Sequence, residues 1–165
     1  MKTALRPVLA GEKGILGNLL EKYTYELSQY DHTLFSSNGL YGYPYLDSYW
    51  QEEGRFAYFI HAGQNLAGFA LINRHPACRR PIDGAVAEFF VACPYRRQGI
   101  ASAAMEQLFQ MHKGYWHIQY HPENTAGAAF WQKISKAHAD GTIQLLEGDS
   151  PYPDGAIPQV LFFKI

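Results

Sequence analysis

Two features of this 165-residue chain are suited to chemistry. One is a polar, cationic corner, Tyr95, Arg96, Arg97, Gln98 and Gly99, set between an apolar run and an amphipathic one in AEFFVACPYRRQGIASAAMEQLF, residues 87–109. The first turn of a helix has unpaired N–H groups and a partial positive charge. Glycine removes the side chain that would block close approach, and two arginines add charge, so such a corner suits a phosphate or pyrophosphate. Glycine and basic residues open many helices that bind nothing, and spacing alone leaves both readings open. The other feature is Glu88, the one acidic residue within the apolar run AEFFVA. A carboxylate there needs a partner, a raised pKa or access to a cleft. It reads as a general base or as the salt-bridge partner of Arg79 or Arg80.

The elements around these features follow from periodicity. The apolar run stopped by Pro94 reads as a buried strand, and the helix after Gly99 carries Ile100, Met105 and Phe109. Upstream, residues 3–9 form a short strand, with Pro7 marking an edge or strand end. Ile15, Leu16, Leu19, Leu20, Tyr23 and Leu27 recur at helical spacing over 12–29, the stripe of a helix packed on a sheet. Residues 30–50 then lose all period and crowd five tyrosines, among them Tyr41 and Tyr43, into a segment that suits either a pocket wall or an ordered loop. A short helix is expected over 46–51. RFAYFIH (55–61) and LAGFALIN (66–73) read as a hairpin of strands covered on both faces. A strand over 115–120, a helix over 122–137 and strands over 142–146 and 159–165 complete the chain. The order predicts a mixed α/β fold in one domain, 1–165, with a mostly antiparallel sheet and parallel pairing only where a helix intervenes.

Composition narrows the function. Fourteen basic against fifteen acidic residues give a formal charge of −1, so no general attraction to nucleic acid or to an anionic membrane is expected. No apolar run approaches a membrane span and no secretory signal opens the chain, which reads as cytoplasmic. Cys78 and Cys93 lack zinc spacing and are expected as reduced thiols. Cys93 reads as a partly buried neutral residue or as a neighbour of a bound thioester. His117 and His121, on one strand face, lie roughly 13 Å apart at about 3.3 Å per residue, too far to share an ion, and no metal is expected. Walker, dinucleotide-binding, HExxH and GxSxG patterns are absent.

The corner RRQGIA resembles the signature of the GNAT family of N-acetyltransferases: Arg96, Gly99 and Ala101 fill its defining positions, and Val91 and Pro94 stand where that family's preceding strand usually has Val and Pro. Asn124, Gly127, Phe130, Trp131 and Lys133, in ENTAGAAFWQK, follow the family's later helix pattern. The resemblance implies a sheet of about seven strands with helices on both faces, and transfer of an acetyl group from acetyl-CoA to a primary amine of a small molecule or peptide by direct attack. Backbone N–H groups of Arg97, Gln98, Gly99, Ile100 and Ala101, with the Arg96 side chain, would hold the pyrophosphate. The backbone of Val91 and Cys93 would pair with the pantetheine arm, and Asn124 and Phe130 would flank it. Glu88 would be the base, and Tyr41 and Tyr43 would line the acceptor side.

One departure bears on mechanism. Many family members have a Tyr general acid where this chain has Trp131. A thiol pKa near about 8.5 makes the thiolate a tolerable leaving group, so water, Tyr95 or Tyr120 would take that role. The departure also supports an alternative, an acyl-CoA-binding sensor or scaffold of the same fold without turnover. Oligomeric state is left open, a homodimer included.

Overall fold

Near-continuous apolar runs across the middle of the chain build the centre of a seven-stranded sheet in the computed structural model, which describes residues 1–165. The strands are β1 (Thr3–Pro7), β2 (Phe56–Ala62), β3 (Asn65–Asn73), β4 (Gly84–Val91), β5 (Tyr115–Tyr120), β6 (Gln144–Glu147) and β7 (Gln159–Lys164). They lie in the order β1-β2-β3-β4-β5-β7-β6. All pairs are antiparallel except β4 with β5, the pair whose connection contains a helix. Four helices cover the sheet: α1 (Lys13–Asp31), α2 (Ser48–Gln51), α3 (Ile100–Met111) and α4 (Thr125–His138). Leu16, Leu20 and Tyr49 of α1 and α2 pack on Phe59, Phe69, Leu71 and Phe90 on one face. On the other, Ile100, Met105, Leu108 and Ile134 of α3 and α4 pack on Ile60, Ile72, Trp116 and Ile118. Burial on both sides explains why β2 and β3 are apolar almost throughout. This is the mixed, mostly antiparallel α/β sheet expected from the element order. Strand ends differ by one or two residues from expectation, and α2 begins at Ser48 because residues 44–47 form turns. No helix is long and apolar enough to cross a membrane.

Two irregularities position the site. The β4–β5 ladder runs only from Gly84 opposite Trp116 to Val86 opposite Ile118, and beyond it the strands part. Just there β4 carries a bulge: Leu71 faces Glu88 while Ile72 faces Val86, leaving Ala87 as an extra residue. Val86 and Phe89 pack toward α3 and α4, whereas Ala87 and Phe90 pack toward α1 and α2. The bulge therefore interrupts strict alternation and delivers Glu88 to the α1 face at the mouth of the gap.

Candidate active site

At the end of β4 the chain makes a 3-10 turn, Cys93–Tyr95, and then passes through left-handed backbone at Arg97 (φ 59°) and Gly99 (φ 79°) before entering α3. The first bond into the helix is Ala103 N–H to Gly99 O at 3.0 Å, and the backbone N–H groups of residues 97–102 have no acceptor within the protein. A Cβ on Gly99 would meet nothing within 4 Å, so the space before these donors is open. The arrangement is a concave row of donors at a helix N-terminus, a geometry suited to an anion. Arg97 is exposed and without an ion-pair partner.

Arg96 is engaged differently. Its Nε donates to Val91 O at 2.6 Å, and its two terminal nitrogens donate to Glu26 Oε1 and Oε2 of α1 at 2.6 Å each. The guanidinium expected on the pyrophosphate thus ties the corner to β4 and α1, and Arg97 is the cation left facing outward. Gln98 donates its side-chain amide to Pro94 O at 2.7 Å. Ile100 is buried in the core, and Ala101 is half-buried against it. Cys93 is exposed, not partly buried, because the 3-10 turn lifts it off the sheet.

Where β4 and β5 part, a cavity of about 320 Å³ opens, lined from β4 by residues 86–89, from β5 and its end by residues 119–121, from the α4 side by Asn124 and Trp131, and from α1 by Tyr23, Tyr30 and Asp31. A second cavity, about 570 Å³, lies on the α1 face among Tyr45, Arg55, Asn73, His75, His117 and Asp149. Tyr43, Glu88 and Gln119 border both. Glu88 is enclosed by protein but keeps contact with solvent through these openings. Burial raises its carboxyl to about 7, the hydroxyls of Tyr23 and Tyr43 pull in the opposite direction by bonding the carboxylate, and the charge of Asp31 raises it further. The Tyr43 hydroxyl donates to Glu88 Oε1 at 3.3 Å. Neither Arg79 nor Arg80 pairs with Glu88, and Arg80 reaches Gln144 instead.

The remaining expected residues divide. Asn124 caps α4, accepting from Gly127 N–H at 2.9 Å, and also borders the first cavity. A Cβ at Gly127 would stand 2.6 Å from the Asn124 amide, which is why a glycine follows three residues on. Phe130 stacks on Phe89, with centroids 6.3 Å apart, and borders neither cavity. Tyr41 is drawn away from both: its N–H bonds Glu21 at 2.8 Å and its hydroxyl reaches Ser28. His117 and His121 have separate partners. His117 accepts from Ala77 N–H and faces the buried Cys78 Sγ at 3.2 Å; burial and Arg80 lower it to about 4. His121 accepts from Glu123 N–H at Nδ1, so its Nε2 proton is directed to Asp154 Oδ2 at 3.0 Å.

The sequence pattern of the Acetyltransferase (GNAT) family matches residues 22–135, more than half of the chain. The chain belongs to the GNAT family. Its fold is similar to that of an acetyltransferase from Thermus thermophilus (TM-score 0.72, 11% identity, 100% of this chain and 98% of that one). It also resembles the ribosomal-protein-S18-alanine N-acetyltransferase of Escherichia coli (TM-score 0.64, 13% identity, 99% and 94% covered). A third likeness is to a spermidine N-acetyltransferase from Vibrio cholerae in complex with CoA and spermine (TM-score 0.66, 11% identity, 98% and 95% covered). Among curated proteins no sequence matches the chain.

GNAT proteins use acetyl-CoA, and the residues present fit it: the open row of donors at residues 97–102 suits a pyrophosphate, and the gap beside β4 suits an extended arm. Several cavity residues were not singled out by sequence. Tyr23 reads as part of an apolar helical stripe, whereas Tyr30 and Asp31 fall at the start of the period-less 30–50 segment and prove to be the last turn of α1. Tyr152 lies in the turn-rich 148–158 connection, whose approach to the site is a matter of tertiary packing.

Proposed function

We propose that the chain is an N-acetyltransferase that moves the acetyl group of acetyl-CoA onto a primary amine by direct attack. The observation that carries this reading is the placement of the Glu88 carboxyl in the cavity where β4 and β5 part, on the strand that leads into the open corner at residues 97–102. Residues 97–102 and Arg97 would hold the pyrophosphate, and the unpaired edge of β4 would take the arm as an added strand. A carboxyl held near pH 7 takes a proton from an ammonium, directly or through water, more readily than one at its ordinary value. With that first ammonium proton on Glu88, the amine nitrogen bonds the acetyl carbonyl carbon, the carbon–sulfur bond breaks, and the second proton the nitrogen loses passes through water to the Tyr120 oxygen, restoring the hydroxyl that protonates the thiolate. The thiolate takes a proton from Tyr120. That side chain borders the cavity and accepts at its hydroxyl oxygen from Gln132 Nε2 at 3.1 Å, which leaves its own hydrogen free to donate. Trp131 borders the same cavity without a hydroxyl, so Tyr120 replaces the family's usual acid.

The test is acetyl-CoA binding by calorimetry together with CoA release across an amine panel. Binding with amine-dependent release supports the reading. Tight binding without release from any amine supports an acyl-CoA sensor, and no binding by a folded chain sinks both.

A further inference from the structure

The first cavity is electrostatically one-sided. Its lining holds two carboxylates, Glu88 and Asp31, five tyrosines and Trp131, and no Lys or Arg. Asp31 occupies an unfavourable place for an acid. It is the last residue of the 19-residue α1, at the negative end of the helix dipole, and no basic residue stands in that last turn. One of its oxygens accepts from Thr33 N–H at 2.9 Å, and it has no ion-pair partner. Neither nearby imidazole pairs with it: His32 is exposed at the helix cap, and His121 has both ring nitrogens committed to Glu123 N–H and Asp154. Aromatic faces continue the wall, with Tyr30 and Tyr152 flanking His121 at centroid distances of 6.2 and 4.9 Å. Carboxylate and aromatic faces without a counter-cation are what a desolvated alkylammonium requires.

We propose that the acceptor is a dicationic alkyl amine, an α,ω-diamine or close relative, with one nitrogen at Glu88 and the second ammonium at Asp31 beside the Tyr30–His121–Tyr152 wall. The inference rests on the acetyl-transfer reading and sharpens its substrate. The nitrogen at Glu88 loses its proton and is acetylated, while the nitrogen at Asp31 stays charged and unreacted. Asp31 is then a specificity residue, accounting for a carboxylate that the helix alone disfavours. The second cavity does not offer the same environment, because its Asp149 shares the lining with Arg55.

The full chain would be assayed for CoA release with 1,4-diaminobutane and 1,6-diaminohexane against n-butylamine and n-hexylamine, with amino-acid amides and short peptides as further acceptors. The diamines are expected to exceed the matched monoamines in kcat/KM by roughly tenfold or more, the size of one partly buried charge contact. Asp31→Asn is expected to erase that advantage, leave acetyl-CoA affinity unchanged and raise Tm, since it relieves the clash with the helix dipole. Asp149→Asn should keep the advantage. Equal use of monoamines and diamines, equal losses for both in Asp31→Asn, or loss of the preference in Asp149→Asn instead would overturn the inference. Turnover of peptides or amino-acid amides with no diamine turnover would end it while acetyl transfer stands. Absence of CoA release with every amine tested would end acetyl transfer as well.

Discussion

Arg96 and Glu26 meet in a bidentate ion pair, 2.6 Å at each contact, that straps α1 to the corner between β4 and α3. The same arginine holds Val91 O, so one side chain fixes three elements around the anion cradle. Both partners keep more than a third of their side-chain surface exposed, so the pair adds little to stability, about 1 kcal/mol or less. Its value lies in geometry. Glu26→Ala is expected to leave Tm nearly unchanged and weaken acetyl-CoA binding several-fold by calorimetry. Weakening in Arg96→Ala but none in Glu26→Ala would instead mean that Arg96 meets the phosphates itself.

Gly99 combines a φ of 79° with open space around the position of its missing Cβ. Any side chain there is strained by about 1 kcal/mol and projects into the cradle. Gly99→Trp is expected to abolish acetyl-CoA binding in a chain that still folds, as circular dichroism and calorimetry on one sample would show. Gly99→Ala, which adds strain with little bulk, should retain part of the affinity.

Glu88, with its carboxyl raised to about 7, is expected to set the pH dependence of catalysis and of stability in opposite senses. A base must be deprotonated to act, so kcat/KM is expected to rise with pH and level off above about 7. Stability runs the other way. The folded value lies above the unfolded one, so this group's contribution is fully present below the ordinary glutamate range and is lost as pH rises through about 7. Glu88→Gln should therefore lower kcat/KM by roughly a hundredfold or more and raise Tm relative to the native chain at pH 8 but not at pH 4. A pH–rate profile unchanged by the substitution would remove Glu88 from the chemistry.

Tyr43 bonds the Glu88 carboxylate, whereas Tyr41 points to Ser28. Removing the Tyr43 hydroxyl takes away a donor that favours the charged form, so Tyr43→Phe should move the rising limb of kcat/KM to higher pH. Tyr41→Phe should leave it in place. Equal shifts in the two variants would contradict the geometry.

Tyr120 is expected to act on the leaving thiolate. Tyr120→Phe should reduce kcat by about tenfold with little change in acetyl-CoA affinity, a modest loss because a thiolate leaves readily even unprotonated. Trp131→Phe, which keeps an aromatic wall and removes no hydroxyl, should cost less in single-turnover measurements.

The sequence by itself determined what local chemistry dictates. Short continuous apolar runs and period-3.6 apolar stripes placed the strands and helices, and the intervening helix made β4 and β5 parallel. Pro94, the arginines and Gly99 marked a corner whose geometry needs only backbone donors and a left-handed glycine, properties carried by contiguous residues. Glu88 stood out because an acid in an apolar strand is costly wherever it lies. What surrounds these residues was decided by tertiary packing. One bulge at Ala87 turned Glu88 to the α1 face, an irregularity that no alternation pattern encodes. Of two neighbouring tyrosines, Tyr43 reached the carboxylate and Tyr41 was drawn to α1 by Glu21 and Ser28. Arg96 was claimed by Glu26, 70 residues away, and Asp31 and Tyr152 met across a cavity that exists only once α1 and the 148–158 connection close over the parted strands. Contacts between residues so distant in the chain depend on how elements dock, which no run of neighbouring residues encodes.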